Sequence, residues 1–400
     1  MKSLPDKILI VDDEITNRKL LAGIFKKEGC ELIEAGDGVE AIKLTFQELP
    51  DLILLDIMMP EKDGYEVCSE LKRDSRSADI PIIFLSAKAE KEDKIKGLEL
   101  GGVDYVTKPF DRREVLARAK AQLKIRNLTK ELTLANKNLI IKQERIDEDL
   151  KAGGEIQRSL ISINPPETEN IDVVWRFMPC QKIGGDIFNI LRLDKDHWAI
   201  YMLDVSGHGI TSAMIAVSVS QMLQPRVGLL PKKTIENPPY YKIVNPAEVL
   251  DAMDKEYPIE RFGKFFTISY CILNVKDGTL RYSNAGHPPP VLLHRDGTVE
   301  LLKEGGTIIG MGGLLPFEEG EKKLHFGDKL FLYTDGIVEY QNADGSFYGE
   351  DRFFAELQRL KDNLISNIVD GVIESMMYFG NNTEPQDDIS LLAVEFRGQT

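Results

Sequence analysis

Two groups of polar residues in this chain fall where strand-like runs end. In the first group Asp12 and Asp13 follow Lys7-Ile8-Leu9-Ile10-Val11, Asp56 closes Leu52 to Leu55, Ser86 closes Ile82 to Leu85, and Lys108 closes Asp104 to Thr107. Carboxylates converging at one edge repel one another unless a divalent cation sits among them, and an all-oxygen set suits Mg²⁺. Mg²⁺ keeps positions open for substrate oxygens, so one carboxylate could attack phosphorus while the metal and Lys108 neutralise the developing charge. A single Asp at a strand end is often only a solvated turn. Polar residues at every matching end are a stronger signal.

The second group is Asp186 in IGGDIF, Asp204 in LDVSGHG, Asp335 in YTDG and Asp387 in QDDIS, each beside glycine or another acid. Small neighbours let backbone approach an ion, and Asp ligands without His or Cys favour Mg²⁺ or Mn²⁺ over zinc. Two such ions could share a bridging hydroxide for in-line attack on a phosphate ester. His208, beside the second motif, is a candidate acid for the leaving oxygen, with a solvated role as its plain alternative. Taken singly, DG is usually a turn. Asn284-Ala285-Gly286-His287-Pro288 either lines a cleft or simply ends a strand.

The elements that must position these groups read as two domains and a helix. In residues 1–122 short β-branched runs alternate five times with amphipathic stretches, which implies a doubly wound α/β sheet with its site at the carboxyl ends of the strands. Residues 161–400 read as an α+β sandwich. Its expected strands are Ile171 to Met178, Ile187 to Leu193, Trp198 to Leu203, Phe265 to Val275, Thr279 to Ser283, Val291 to His294, Lys329 to Tyr333 and Ile389 to Glu395. Helices follow Gly209, Asn245, Gly349 and Asn363, and the proline-rich stretch 224–245 reads as a surface insert.

Between the domains, Asp111 is a good N-cap with Glu114 placed for a capping box and Phe110 and Val115 for a hydrophobic staple. The helix it opens extends to Leu160. Over 123–160 the positions fall into a heptad, Ile125, Leu132, Leu139 and Ile146 in one row and Leu128, Ala135, Lys142 and Asp149 in the other, a second row that decays along the chain; the pattern predicts a parallel coiled-coil linker and a homodimer. The plain alternative is an amphipathic helix folded back on its own domain. A stutter at Leu150 and the pair Gly153-Gly154 predict a soft point near the helix end.

Bulk properties exclude several classes. Fifty Lys and Arg against 65 Asp and Glu leave a formal charge of −15, which argues against a nucleic-acid partner. No apolar run is long enough for a membrane span. MKSLPDKILIVDDE lacks the layout of a secretory signal, so the expected location is cytoplasmic. Cys30, Cys68, Cys180 and Cys271 are scattered without metal or disulfide spacing.

VDDE, LLDIMMP, LSAK and DYVTKPF resemble the receiver domain of two-component response regulators across the whole first half. The resemblance implies that Asp56 accepts a phosphoryl group, that Asp12, Asp13, Asp56 and the carbonyl of Met58 hold Mg²⁺, that Ser86 and Tyr105 are switch residues, and that Pro109 is cis. It implies a histidine kinase or phosphotransfer protein as donor. From the helix Glu155-Ile156-Gln157-Arg158-Ser159-Leu160 onward, the order of the acidic motifs resembles the PPM phosphatases, in their bacterial sporulation and stress-response branch. That implies a serine phosphatase with two Mn²⁺ or Mg²⁺ ions on Asp186, Asp204, the carbonyl of Val205, Asp335 and Asp387, with Asp388 as the fallback for Asp387. It also implies a switch segment around Gln157, and a phosphoserine STAS-domain anti-sigma-factor antagonist as substrate. The rival reading is a non-catalytic phosphatase-like scaffold that sequesters a regulator, which a lost carboxylate would signal. None is lost. GGDIF lacks the Glu of the GGDEF cyclases.

Overall fold

The computed structural model describes residues 5–87, 91–160, 170–180, 182–207, 209–225, 230–236 and 240–398, with side chains for all but 91–94 and 160. Two compact units emerge, Met1–Gln143 and Glu144–Thr400. The division falls inside a long helix rather than at residue 122 or 160.

The first unit contains β1 (Lys7–Val11), α1 (Ile15–Lys26), β2 (Glu31–Ala35), α2 (Gly38–Glu48), β3 (Leu52–Asp56), α3 (Gly64–Arg73), β4 (Ile82–Ser86), α4 (Lys91–Glu99), β5 (Asp104–Thr107) and the start of α5 (Arg112–Leu160). Its strands form one parallel sheet in the order β2-β1-β3-β4-β5. Side chains alternate along each strand, so Leu9, Val11, Ile53 and Leu55 pack into one core while Ile8, Ile10, Leu52 and Leu54 pack into the other. Both faces are therefore covered, as the continuous apolar runs require. Strand order reverses between β1 and β3, which leaves a crevice at their carboxyl ends.

The second unit continues with β6 (Ile171–Met178), β7 (Ile187–Arg192), β8 (His197–Val205), α6 (Ile210–Met222), β9 (Lys232–Thr234), β10 (Tyr241–Ile243), α7 (Pro246–Glu256), α8 (Ile259–Phe262), β11 (Phe266–Asn274) and β12 (Thr279–Ala285). It ends with β13 (Val291–Leu293), β14 (Val299–Leu301), β15 (Gly305–Gly306), β16 (Gly320–Lys323), β17 (Lys329–Tyr333), α9 (Asp335–Val338), α10 (Gly349–Arg359), α11 (Ile365–Phe379) and β18 (Ile389–Phe396). One sheet runs β15-β12-β11-β8-β7 with β16 also paired to β12, and the other runs β14-β13-β17-β18-β6. Leu330 and Leu332 of β17 join the core shared by the two sheets with α6 and α7, whereas Phe331 and Tyr333 face the core under α10 and α11. This is a four-layer helix-sheet-sheet-helix sandwich. The expected long strands and helices are all present. The short β9, β10, β14, β15 and β16 were not anticipated, since two to four residues carry too little periodicity to read. β9 and β10 pair as a ribbon within the 224–245 insert.

Asp111 caps α5, its Oδ1 accepting the N–H groups of Arg113 at 2.7 Å and Glu114 at 3.1 Å. The Glu114 carboxylate turns to Arg118 instead of closing a capping box. Val115, Ala119 and Leu123 are buried on the first unit. Ile125, Leu128, Leu132, Leu139 and Ile146 are each more than half exposed, so the heptad seam is not folded back onto its own domain. For Gly153-Gly154, where the sequence predicts a soft point, the structure shows a packing role. A Cβ on Gly154 would lie 2.0 Å from the carbonyl oxygen of Lys182, and one on Gly153 would lie 2.9 Å from Ile183 Cδ1. The glycines let the helix dock at backbone distance, and Lys182 Nζ pairs with Asp147 at 2.8 Å across the same contact.

Candidate functional site

At the carboxyl edge of the first sheet, Asp12 and Asp56 are buried and Asp13 is exposed. Each of the three offers an oxygen within 4.8 Å of the others. Lys108 Nζ lies 2.8 Å from Asp12 Oδ2 and 2.7 Å from Asp56 Oδ2. Burial raises the Asp56 carboxyl above its usual range, with the Lys108 ammonium opposing it and the Asp12 carboxylate adding to it. Burial also pulls Lys108 down, but its bonds to Asp12 and Asp56 more than offset that and leave it raised. A hard cation would relieve the same repulsion, so the oxygen donors fit Mg²⁺.

The β5 loop completes the arrangement. Lys108 N–H donates to the Ser86 carbonyl at 2.8 Å, and the Lys108–Pro109 peptide is cis. Ser86 and Tyr105 line one small cavity with Ile57 and Phe84, and the Arg118 guanidinium sits 5.4 Å over the Tyr105 ring. The Met58 N–H points at Asp56 Oδ1 from 3.4 Å.

In the second unit, Asp186 precedes β7, Asp204 lies near the end of β8, Asp335 opens α9 after β17, and Asp387 and Asp388 precede β18. Four separated motifs thus reach one end of the sandwich. Burial raises the Asp186 carboxyl strongly, and the Asp204 and Asp388 charges add to the shift. Asp204 is pushed up to about 7 by burial and then by Asp335, Asp387 and Asp388. Asp335 is pushed up to about 6 by burial, Asp387 and Glu339. The acids are thus close enough to feel one another's charge, although among the described residues no three of them offer oxygens within 4.8 Å of one another as Asp12, Asp13 and Asp56 do.

Asp387 and Asp388 differ in kind. Asp388 is buried, its Oδ2 accepting Gly185 N–H at 2.8 Å and its Oδ1 accepting Cys180 N–H at 2.9 Å. It braces the glycine loop. Asp387 is exposed and borders a cleft of about 280 Å³ with Gly336, Glu339 and Gln386. Gly185 marks a second close approach. A Cβ there would lie 2.7 Å from the Val205 carbonyl oxygen, 3.2 Å from Asp204 Oδ1 and 3.4 Å from the Gly207 carbonyl oxygen. The three nearest atoms are all oxygens, a donor type that fits a hard divalent ion.

Supporting residues were less visible in the sequence. Ser390 Oγ donates to Asp186 Oδ2 at 2.6 Å, and Thr334 Oγ1 donates to the Asp388 carbonyl at 3.3 Å while accepting Ser390 N–H at 3.0 Å. The alternation Asp388-Ile389-Ser390, which puts the two polar residues on one strand face, was the available signal. Gln157 of α5 is buried, its Nε2 donating to the Gly184 carbonyl at 2.9 Å and its Oε1 accepting Gly184 N–H at 3.2 Å. The helix therefore grips the loop that carries Asp186. Asn284 and His287 exchange two bonds that close a buried turn, so that run ends a strand. His208 lies outside the described residues.

Comparison with known proteins agrees with both halves. Residues 8–120 match the response regulator receiver domain, and residues 194–397 match the family described as stage II sporulation protein E (SpoIIE). The probable transcriptional regulator ycf27 of Guillardia theta is 49% identical over 122 residues, 30% of this chain and 47% of that protein. The chain thus spans about half the length of that curated relative. The SiaA-PP2C domain of Pseudomonas aeruginosa has the same fold, with a TM-score of 0.52 at 18% identity over 64% of this chain and 98% of that one. The RsbU and RsbW domains of Rv1364c from Mycobacterium tuberculosis are similar at TM-score 0.48 and 23% identity, over 58% of this chain and 61% of that one. This chain belongs to the SpoIIE family, its PPM-type phosphatase domain joined by a long helix to a response regulator receiver domain.

Proposed function

We propose that phosphorylation of Asp56 controls hydrolysis of a phosphoserine protein by the second domain. The convergence of Asp186, Asp204, Asp335 and Asp387 at one end of the sandwich carries this reading. With the Val205 carbonyl, these residues would hold two Mn²⁺ or Mg²⁺ ions, which when bound supply a low-pKa water and neutralise phosphate charge. Asp388, committed to backbone N–H groups, holds the loop, and Asp387 keeps the ligand role. His208 would protonate the departing serine oxygen.

In the receiver, Asp12, Asp13, Asp56 and the Met58 carbonyl would hold Mg²⁺, and a histidine kinase or phosphotransfer protein would supply the phosphoryl group. Asp56 attacks phosphorus, the donor's leaving group departs, and Lys108 shifts from Asp56 to the new phosphoryl oxygens. Ser86 and Tyr105 then repack. Exposed seam residues from Ile125 to Ile146 support a homodimer through a parallel coiled coil, and the Gln157 grip on Gly184 gives the helix a route to the Asp186 loop. A helix with two docked states transmits a signal only if phosphorylation favours one of them. The substrate proposed is a STAS-type anti-sigma-factor antagonist.

The test is Mn²⁺-dependent phosphate release from a phosphoserine STAS protein, with and without beryllofluoride. Release that changes with beryllofluoride and vanishes in Asp335→Ala supports the reading. No release in either state, with the partner still bound tightly, would replace it with the sequestering scaffold.

A further inference from the structure

Ser206 stands between two loop carbonyls that face Gly185. A Cβ on Gly185 would lie 2.7 Å from the Val205 carbonyl oxygen and 3.4 Å from that of Gly207. The Ser206 carbonyl is held by other groups, accepting Lys264 Nζ at 2.7 Å and Ser212 Oγ at 3.2 Å. The rest of Ser206 is also taken. Its N–H donates to the Phe265 carbonyl at 3.0 Å, and its Oγ accepts the Phe265 N–H at 3.3 Å. Planar peptides turn as rigid units, so a carbonyl fixed at Ser206 limits how far those of Val205 and Gly207 can swing away from Gly185.

Lys264 is the unexpected member of this set. It is half-buried in the link from α8 to β11, three residues before Thr267, which lies opposite Asp204 in the β8–β11 register. Its ammonium holds a carbonyl and forms no ion pair among the described residues. Gly207 makes room for it. The φ angle there is +72°, and a Cβ would lie 2.7 Å from Lys264 Nζ. A positive charge so near a cation site opposes ion binding by simple repulsion. The geometry supplies a compensating role, because groups that orient a metal ligand from behind can set affinity as strongly as the ligand does.

We infer that Lys264 is a positioning residue for the metal centre of the second domain, clamping the Ser206 carbonyl so that the Val205 carbonyl stays turned toward a divalent ion. This rests on the metal-dependent reading of that domain. The clamp and the bare charge predict opposite signs. Removing a mere charge would tighten cation binding, whereas removing the clamp would weaken it.

The experiment is a Mn²⁺ titration of the full chain, followed by the electron paramagnetic resonance signal of the free ion. Sites lost in Asp335→Ala belong to the second domain. At those sites Lys264→Met should weaken Mn²⁺ roughly tenfold or more, and Lys264→Arg, which keeps a donor, should recover most of the loss. The circular dichroism melt of Lys264→Met in EDTA should match that of the native chain, which separates a clamp from a folding defect. Native or tighter Mn²⁺ affinity in Lys264→Met, or a lower melting point in EDTA, would overturn the inference while leaving the metal centre standing. Absence of any Mn²⁺ site that Asp335→Ala removes would overturn the metal reading itself, and the inference with it.

Discussion

In the receiver a lysine stands among the carboxylates, with Lys108 within 2.8 Å of both Asp12 and Asp56. In the phosphatase domain no Lys, Arg or His pairs with Asp186, Asp204, Asp335, Asp387 or Asp388 among the described residues; their partners are backbone N–H groups, the hydroxyls of Ser390 and Thr334, the Cys180 thiol and one another. The first centre is neutralised in part by the chain itself, as suits the proposed role of keeping a phosphoryl group on Asp56. The second has no such counter-charge among the described residues, as suits the proposed metal-dependent release of phosphate. Their cation dependence should differ accordingly.

The sharpest break of the comparison is catalytic. Asp335→Ala should lower Mn²⁺-dependent phosphate release at least roughly 100-fold and leave beryllofluoride binding to the receiver intact. Asp56→Asn should do the reverse, removing the beryllofluoride response while basal release stays within about twofold. Loss of basal release in Asp56→Asn would mean that the two centres are not separate.

Docking of α5 offers the next contrast. Gln157→Ala removes two buried bonds to Gly184 and should destabilise the second unit by about 1–3 kcal/mol in urea titration, with the receiver transition unmoved. Gly154→Ala should lower phosphate release as well, because its methyl would meet the Lys182 carbonyl. Unchanged stability and activity in both would leave the helix grip without a role.

Stability against pH sharpens the electrostatic side. In metal-free protein Asp204 has a folded pKa of about 7, above its ordinary value of 3.8. A carboxyl raised on folding binds more protons in the native state, so its contribution is full below about pH 4 and is lost as pH rises through about 7. The unfolding midpoint of the second unit in EDTA should therefore fall over that window, and saturating Mn²⁺ should remove the slope. A flat profile in EDTA would mean the carboxylates are already balanced, as in the receiver. The mildest expected effect is at the helix start, where Asp111→Ala should cost about 1 kcal/mol of receiver stability from two lost capping bonds and leave phosphate release unchanged.

Residues at strand ends were legible because strand periodicity and turn chemistry are local. β3 and β4 end at Asp56 and Ser86 as their apolar runs predict, β1 ends at Val11 just before Asp12, and β17 ends at Tyr333, two residues before Asp335. The glycine pair in α5 shows the limit of local reading. Helix propensity counts Gly153 and Gly154 as a weakness, and only the backbone of Lys182, far away in sequence until the chain folds, turns them into a contact.

By itself, the sequence determined the alternation of strand and helix in the first half, the acidic motifs and their order, and the heptad on α5, since each is written in neighbouring residues. Tertiary structure alone decided which of Asp387 and Asp388 is buried, that Ser390 supports Asp186, and that Gln157 closes on Gly184. Each of these depends on long-range approach, in which burial and distance rather than residue type set a group's charge, partners and freedom to act.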